Sequence, residues 1–450
     1  MTESSPLQDY ETRKAALARA MRTAGAAPVR LAKSTSNLFR DRAAAPRSRL
    51  DVRQFSHVLG VDRGAGWVDA EGMTPYVDLV EATLAQGLMP AVVPQLKWIT
   101  LGGAVAGVGI EASSFKSGLV HETVAGIEVL LGDGSVVLAT PENEHRDLFF
   151  GFPNSYGTLG YALRLRARTL PVLPFVRLEH RHYERPDAFF ADLAVACAGN
   201  ADFIDGVVFG AKSMAVTIGR FIVEAPYTSD YGFERIYYRS IRERDEDFLT
   251  VRDFLWRWDT DWFWCSKNLG AQHPLIRRLL GRERLNSRFY AGVMRWNARW
   301  GVTRMRDRLL GRHPEPVIQD VDIPIGRAAE FLDFFHREIG ILPVWICPIR
   351  AAPAAPRFPL YPTPAGTLLV NFGFWDVVRS RTRHAAGHFN RLIERKVSEL
   401  GGIKSLYSDS YFGREEFWSI YDRSAYAALK ARYDPRSALP DLYDKCVLKA

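Results

Sequence analysis

The chain has 450 residues, a formal net charge of +8 and an apolar fraction of 47%. A single hydrophobic core usually stops growing at about 250–300 residues, so we expect two domains. The cysteines at positions 197, 265, 347 and 446 have no paired spacing, which argues against a disulfide framework and predicts no metal site. Residues 1–9 are polar and no apolar run of about 18 residues occurs. We therefore expect a cytoplasmic protein, or one bound peripherally to the inner face of the plasma membrane.

Short strands and helices are predicted in the first part of the chain. An amphipathic helix is predicted over residues 10–23, and strands at 28–32 and 66–70. A further helix should run from Pro75 to Gly87, with Thr74 as N-cap, Pro75 at the first position and Gly87 as terminator. Residues 129–138 have the pattern of a strand, an Asp-Gly turn and a second strand. Residues 160–167 then alternate like a strand.

Glycine-containing turns flank this predicted hairpin. Thr100-Leu101-Gly102-Gly103-Ala104 precedes it, and Ser155-Tyr156-Gly157-Thr158-Leu159-Gly160 follows it. Glycines 102 and 103 lack side chains where a backbone would approach a ligand, and their N–H groups would then donate to a pyrophosphate or to a ring carbonyl. The turn Lys33-Ser34-Thr35-Ser36-Asn37 offers a cation, hydroxyls and an amide to the same oxygens. A plain turn or helix N-cap is the alternative interpretation of that segment.

Gly107-Val108-Gly109-Ile110-Glu111-Ala112 matches the sequence pattern of a dinucleotide-binding fingerprint. Glu128 lies at nearly the distance downstream at which that fingerprint has its acidic residue. The residues that follow it, 113–118, are a polar loop, whereas the motif requires the apolar start of a helix. We therefore reject a Rossmann site here.

The pattern changes after Pro171 and Pro174, where we predict a domain boundary. Long strands and aromatic-rich helices are predicted from about 175 to 400, including a helix around 331–335 and a strand over 367–372. Residues 407, 409 and 411 alternate as on a strand, which would place Tyr407, Asp409 and Tyr411 on one face.

Tryptophan and arginine are concentrated in residues 251–312. Four tryptophans lie between 256 and 264, and residues 277–312 hold eleven arginines against two acidic residues, with Trp296 and Trp300 at helical spacing. This composition is typical of a surface that faces anionic lipid. A nucleic-acid-binding face and a solvated helix beside an aromatic core are the other interpretations, and we do not favour nucleic acid.

These motifs resemble the FAD-binding domain of the p-cresol methylhydroxylase and vanillyl-alcohol oxidase superfamily, and within it the Δ24-sterol reductase branch. That branch has comparable Thr-x-Gly-Gly, Gly-Ile-Glu and Gly-Thr-Leu-Gly elements. C-terminal segments at 344–348, 406–411, 414–418 and 443–445 also fit it. The resemblance implies an α+β protein: a PCMH-type two-subdomain FAD-binding domain at 29–172 after a helical segment (1–28), a substrate or cap domain at 173–405, and a segment at 406–450 that returns to the flavin.

The resemblance also implies site residues. Glu111, Tyr407, Asp409 and Tyr411 are the catalytic candidates, with a phenol as proton donor and Asp409 tuning it. FAD is expected to be non-covalent, because the 33–37 turn lacks the histidine that attaches the flavin in many members. The expected FAD contacts are Lys33, Ser34, Thr35, Ser36, Asn37, Pro94, Thr100, Gly102, Gly103, Gly107, Ile110, Ser155, Gly157, Thr158 and Gly160.

The implied activity is NADPH-dependent reduction of an isolated carbon–carbon double bond in a lipid. Actinobacterial relatives of this branch reduce the 10-methylene group of a phospholipid-bound fatty acyl chain, giving a 10-methyl-branched, tuberculostearic-type fatty acid after a SAM-dependent methyltransferase has acted. A sterol side-chain reductase, an alcohol or sugar oxidase or dehydrogenase, and a flavin-free lipid-binding protein remain as alternatives.

Overall fold

The computed structural model describes residues 6–23, 29–33, 48–351 and 358–449. Helices and mainly antiparallel sheets are mixed throughout these residues, which confirms the predicted α+β class. None of the helices in these ranges is both long enough and apolar enough to cross a membrane.

The first part of the chain forms a small parallel pair of strands and one larger sheet. The strands are β1 (Arg30–Ala32), β2 (Arg49–Asp51), β3 (Val58–Asp62), β4 (Trp67–Glu71), β5 (Leu88–Pro90), β6 (Val124–Leu130), β7 (Val136–Ala139) and β8 (Tyr161–Pro171). The larger sheet has the order β3-β4-β8-β6-β7, and β5 pairs with β8. The predicted hairpin is confirmed, because β6 and β7 pair from Leu130 opposite Val136.

The helices of this part are α1 (Pro6–Thr23), α2 (Tyr76–Leu84), α3 (Leu101–Ala106), α4 (Ser114–Ser117) and α5 (Arg146–Gly151). Helix α1 confirms the predicted helix, and the Tyr10 hydroxyl anchors it to β6 by donating to Glu128 Oε2 at 2.9 Å. The cap predicted for α2 is wrong. Pro75 is the N-cap, and the Thr74 hydroxyl instead donates to the carbonyl of His57. Gly107 follows helix α3 and not a strand, so the fingerprint lacks its required context.

The second part of the chain forms a longer sheet. Its strands are β9 (Phe175–Tyr183), β10 (Phe203–Gly210), β11 (Ser213–Ile222), β12 (Glu246–Thr250), β13 (His313–Pro324), β14 (Val344–Ile349), β15 (Leu369–Ser380) and β16 (Ile403–Lys404). They follow the order β12-β9-β11-β10-β14-β15-β13-β16. The strand predicted over 367–372 is the start of β15.

Helices cover this sheet and close the C-terminal end. They are α6 (Pro186–Cys197), α7 (Tyr237–Ser240), α8 (Val251–Leu255), α9 (Pro274–Leu280), α10 (Ser287–Trp300), α11 (Val302–Leu309), α12 (Ala328–Glu338), α13 (His388–Glu399), α14 (Arg414–Ile420), α15 (Arg423–Tyr433) and α16 (Leu442–Cys446). Helix α12 contains the predicted aromatic helix around 331–335. One buried apolar cluster includes Val68 and Leu165 of the first sheet and Trp345 and Leu369 of the second, so the two sheets share a core.

Candidate active site

A cavity of about 730 Å³ lies where the two sheets meet. That volume is typical of a small-molecule or cofactor site. The first part of the chain supplies glycine-rich backbone and the second part supplies aromatic and acidic side chains. Lining residues used below are Arg30, Lys33, Arg53, Pro94, Leu96, Trp98, Ile99, Thr100, Gly102, Gly103, Gly107, Val108, Ile110, Tyr156, Gly157, Gly160, Trp262, Phe263, Arg288, Ala291, Arg295, Asp320, Asp322, Trp345, Tyr361, Asn371, Trp375, Tyr407 and Lys445.

Most of the predicted FAD contacts line this cavity. They are Lys33, Pro94, Thr100, Gly102, Gly103, Gly107, Ile110, Gly157 and Gly160. Ser155 and Thr158 are fully buried instead, and the Thr158 hydroxyl donates to the Ser155 carbonyl at 2.8 Å. These two residues therefore stabilise the turn that presents Tyr156 to the cavity. Ser34, Thr35, Ser36 and Asn37 lie outside the described residues.

The reason predicted for Gly102 and Gly103 is wrong. The Gly102 N–H donates to the Gly72 carbonyl at 2.9 Å, and the Gly103 N–H donates to Thr100 Oγ1 at 3.3 Å. A Cβ atom on Gly102 would lie 2.8 Å from the Gly72 oxygen. Both N–H groups are thus used inside the protein, and glycine at 102 is required by the close approach of two backbone segments beside the cavity.

Strained backbone is concentrated around the cavity. Val108, Tyr156, Trp262 and Phe263 have φ angles of 51°, 51°, 46° and 59°, and all four line it. Residues with side chains rarely adopt positive φ, and each instance costs on the order of 1–3 kcal/mol. Such strain is retained where the surrounding structure fixes the backbone, commonly at a functional site.

Two carboxyl groups enter the cavity from strand β13. Asp320 and Asp322 are two residues apart, so both project from one face of the strand. Burial, followed by the nearby charge of Asp322, raises the pKa of Asp320 to about 8. Burial also raises the pKa of Asp322 to about 6. Asp320 is therefore largely protonated at neutral pH and is available as an acid.

Hydrogen bonds fix both carboxyl groups. Tyr361 Oη donates to Asp322 at 2.5 Å, and Asn371 Nδ2 donates to it at 2.7 Å. The Tyr407 hydroxyl interacts with Asp320 and accepts a hydrogen bond from Trp375 Nε1 at 2.8 Å. These contacts link two acids and two phenols that all line one cavity.

The prediction did not include Asp320 or Asp322, although the sequence carries a signal for them. Asp320 and Asp322 flank Val321 in a strand whose residues 321–323 are buried. Two carboxyl groups at such positions are costly unless they have partners or a function. In the antiparallel pair, Asp320 lies opposite Gly373. A Cβ atom there would lie 2.8 Å from Asp320 Oδ1, so this glycine leaves room for the acid.

The strand predicted at 407–411 is wrong. After the short β16 the chain turns, because the Lys404 ammonium donates to the Asp409 carbonyl at 2.6 Å and to Ser410 Oγ at 3.1 Å. Tyr407 lines the cavity, whereas Asp409 and Tyr411 are not among the lining residues. Asp409 pairs with Lys449 at 3.1 Å. The turn therefore separates the three side chains that were predicted to share a face.

Glu111 lies behind the cavity wall and does not line it. Arg257 Nη2 contacts Glu111 Oε1 at 3.3 Å and Asp205 Oδ2 at 2.9 Å, and all three side chains are buried. Burial raises the pKa of Glu111 to about 8; Arg257 opposes this effect and Asp205 adds to it. Asp205 also accepts a hydrogen bond from Trp345 Nε1 at 3.3 Å. Glu111 is thus paired with buried charges outside the cavity lining, and its predicted catalytic role stays a prediction.

Replacing Glu111 by glutamine tests this assignment. The pKa of Glu111 is higher in the folded protein than in the unfolded chain. Between about pH 5 and pH 8 the folded protein therefore keeps a proton on Glu111 that the unfolded chain has lost. The free energy of unfolding consequently falls as the pH rises through that range. The wild-type slope from this group approaches about 1.4 kcal/mol per pH unit. We expect Glu111→Gln to remove that part of the slope in urea unfolding measured at several pH values. Glu330→Gln, an exposed control whose pKa is lowered, should leave the slope unchanged.

An unchanged slope in Glu111→Gln would mean that Glu111 is ionised in the folded protein. A folded, flavin-containing Glu111→Gln variant that cannot turn over would support the predicted catalytic role of Glu111.

The donor groups of the cavity fit a dinucleotide. Cationic side chains at Arg30, Lys33, Arg53 and Lys445 suit a diphosphate. The aromatic residues Trp262, Phe263, Trp345 and Trp375 suit a planar ring system. Within the ranges that the structure describes, no group of three or more His, Cys, Asp or Glu side chains is arranged to hold a metal ion.

Comparison with known proteins agrees with this geometry. A family described as "FAD binding domain" matches residues 11–140, which include the Thr100–Gly107 loop of the cavity. Together with the fold and the longer relatives described next, this match makes the chain an FAD-dependent oxidoreductase.

Longer relatives cover both parts of the chain. The human Delta(24)-sterol reductase is 26% identical over 413 residues, which is 86% of this chain and 75% of that protein. The Delta(24)-sterol reductase of Pisum sativum is 23% identical over 90% of this chain and 77% of its own length. Cytokinin dehydrogenase 8 of Oryza sativa subsp. indica is 28% identical over 36% of this chain and 32% of its own length. The similarity to sterol reductases therefore extends into the second sheet.

Proposed function

We propose that the protein is a reductase of an isolated carbon–carbon double bond in a lipid, using non-covalent FAD and NADPH. The observation that carries the proposal is Asp320, a carboxyl group that lines the cavity, with a buried Oδ1 and a pKa raised to about 8. The sterol reductase names of the longer relatives support the same reaction class.

An isolated double bond has no carbonyl to polarise it, so hydride alone does not add to it. When bound in its reduced state, FAD supplies a hydride to one alkene carbon. The protein must protonate the other carbon as the hydride is delivered, so that cation character develops where the hydride adds, and it needs a donor that is protonated at neutral pH and shielded from water. Asp320 meets both conditions. Tyr407, linked to it and fixed by Trp375, is placed to orient that acid.

For the substrate we propose the 10-methylene group of a phospholipid-bound fatty acyl chain, which would become a 10-methyl branch. Apolar lining residues such as Leu96, Ile99 and Val108 suit an acyl chain beside the ring system, and the cationic groups suit phosphates of NADPH or of a headgroup. A SAM-dependent methyltransferase would act upstream to install the methylene. We propose a cytoplasmic location, at the inner face of the plasma membrane. A sterol side-chain alkene is the second candidate, favoured by the names of the relatives.

Anaerobic spectroscopy of the purified holoprotein tests the proposal. We expect NADPH to bleach the visible flavin bands and a phospholipid with a 10-methylene acyl chain to restore them, because the alkene accepts the electrons. The saturated 10-methyl phospholipid is the matched control and should restore nothing. If only a sterol with an unsaturated side chain restored the flavin bands, the substrate would be a sterol.

A flavin that ignores NADPH but is bleached by an alcohol or sugar would contradict the reductase assignment. Acid precipitation of the same sample should release the flavin into solution, and a yellow pellet would contradict non-covalent binding.

A further inference from the structure

The tryptophans of residues 251–312 divide into two groups. Trp256, Trp258, Trp262 and Trp264 are buried, so this part of the segment is core. Trp296 and Trp300 of α10 are 56% and 66% exposed. The outer faces of α9 and α11 also carry exposed apolar residues: Leu275, Leu279, Met305 and Leu309. These exposed apolar side chains lie on three helices that follow one another in the chain, and we call them together the outer face.

The outer face rests on an ordered base. A small buried cluster of Trp262, Ala271, Leu285 and Tyr290 receives Leu280 from α9, and Phe289 and Met294 from α10. The two helices therefore share a packed core beneath the exposed side chains. An exposed apolar surface on a packed base is typical of an interaction site.

Helix α10 lies at the edge of the cavity. Arg288, Ala291 and Arg295 line the cavity and fall at helical spacing on one face. Tyr290 and Met294 face the small core. Trp296 and Trp300, four residues apart, form a third, exposed stripe. The exposed tryptophans are thus on the same helix as the arginines at the cavity wall.

Some arginines of this region form ion pairs, and most of them are exposed. Arg277 pairs with Asp261, Arg278 with Glu234, and Arg282 with Asp230. The later residues Arg284, Arg288, Arg295, Arg306 and Arg312 are exposed. The nearby acid Asp307 is buried and contacts both Arg306 and Arg379 at 3.5 Å. The outer face therefore combines apolar side chains with an excess of exposed positive charge.

We propose that the outer face docks on an anionic lipid bilayer, with Trp296, Trp300 and Leu309 at the acyl boundary and Arg288 and Arg295 at the headgroup phosphates. Interfacial helices of this composition bind through buried apolar area together with attraction to anionic headgroups. Docking in this orientation would place the cavity-lining residues of α10 at the depth of the lipid headgroups. The entry of an acyl chain into the cavity rests on the proposed function, whereas docking itself does not.

Vesicle sedimentation of the FAD-loaded full chain tests docking. We expect binding to vesicles of phosphatidylglycerol and phosphatidylcholine, weak binding to phosphatidylcholine alone, and loss of binding at about 1 M NaCl, where the screening length is about 3 Å. Leu309→Glu and Trp296→Ala should each weaken binding at least about tenfold, which corresponds to about 1.4 kcal/mol.

Leu138→Glu is the matched control, because Leu138 is 52% exposed on β7 of the other sheet; it should bind vesicles like the wild type. The flavin content of every variant is measured first, so that only folded holoprotein is compared. Equal binding by Leu309→Glu and Leu138→Glu would overturn the proposal. The proposal would also be overturned if duplex DNA bound the protein and competed with the vesicles. The same holds if the protein formed a dimer that Leu309→Glu dissociates while vesicle binding persists.

Failure of docking and failure of the proposed function are separate outcomes. Vesicle binding requires no turnover, and oxidation of reduced flavin by a detergent-dispersed alkene requires no bilayer. A protein that binds vesicles but does not reduce the alkene keeps the docking surface and loses the function. A protein that reduces the dispersed alkene but does not bind vesicles loses the docking surface.

Discussion

Replacing Asp320 by asparagine is expected to slow oxidation of the reduced flavin by the alkene by about 10²–10⁴-fold, the usual contribution of a positioned general acid. Asparagine is close in shape to the protonated carboxyl group but has no acidic proton. Since the native acid is neutral at pH 7, the substitution should cost little stability. Reduction of the flavin by NADPH should stay near the wild-type rate, because that step does not need the acid.

The pH dependence gives an independent test of Asp320. Its pKa is raised to about 8, so the wild-type oxidation rate should be level below that pH and fall above it as the proton is lost. The Asp320→Asn variant should lose this fall. Anaerobic stopped-flow absorbance in single-turnover mode measures both steps separately. Asp376→Asn is the matched control, since Asp376 pairs with Lys267 at 2.7 Å and is not among the cavity residues.

Tyr407→Phe distinguishes the acid from the phenol. If Asp320 is the proton donor, loss of the Tyr407 hydroxyl should have a smaller effect than Asp320→Asn, because it removes only the group that orients the acid. The opposite result is a flavin oxidation rate within about threefold of the wild type in Asp320→Asn and a large loss of rate in Tyr407→Phe. It would mean that the Tyr407 phenol is the proton donor.

Local signals were sufficient for several parts of this molecule. The Asp-Gly turn predicts the β6–β7 hairpin, because the turn chemistry and the flanking apolar strands lie within ten residues. The glycine loops at 100–107 and 157–160 were predicted to meet at one site, and residues of both line the same cavity. The chemical reason given for Gly102 was wrong, because its partner is Gly72, which lies 30 residues earlier in the chain.

The parts that could not be predicted depend on distant partners. Glu111 was expected at the flavin, but it pairs with Arg257, and no local pattern connects positions 146 residues apart. The alternation of residues 407–411 resembles a strand, yet Lys404 draws that segment into a turn. Asp320 and Asp322 carried a local signal, but the cavity beside them exists only when two sheets pack together. The raised pKa of the two carboxyl groups therefore follows from the packing of the two sheets and not from the local sequence.

Replacing Lys404 by methionine is expected to destabilise the folded protein by about 3–5 kcal/mol, because it leaves a buried carboxylate without its partner. The Lys404 ammonium is fully buried and lies 2.7 Å from Glu394 Oε1. It also donates to the Asp409 carbonyl and to Ser410 Oγ, which engages all three of its protons. The free energy of unfolding in urea measures the loss.

The same substitution should affect the site as well as the stability. The segment that Lys404 holds in a turn carries Tyr407 into the cavity, so the variant should also slow the alkene half-reaction under conditions where it remains folded. Lys396→Met is the matched control, because Lys396 pairs with Glu330 and Glu399 near the protein surface. It should cost no more than about 1 kcal/mol and leave the reaction unchanged.

A second substitution separates the two effects of Lys404. In Lys404→Met/Glu394→Leu the unpaired carboxylate is gone, so much of the stability should return. The Asp409 carbonyl and the Tyr411 N–H, which donates to Glu394 at 3.1 Å, still lack their partners, so the turn and the reaction rate should not recover fully. Full recovery of both would mean that Lys404 only neutralises Glu394. Recovery of stability alone would assign to the Lys404–Glu394 pair, through its contacts with the Asp409 carbonyl and the Tyr411 N–H, the separate task of placing Tyr407 beside Asp320.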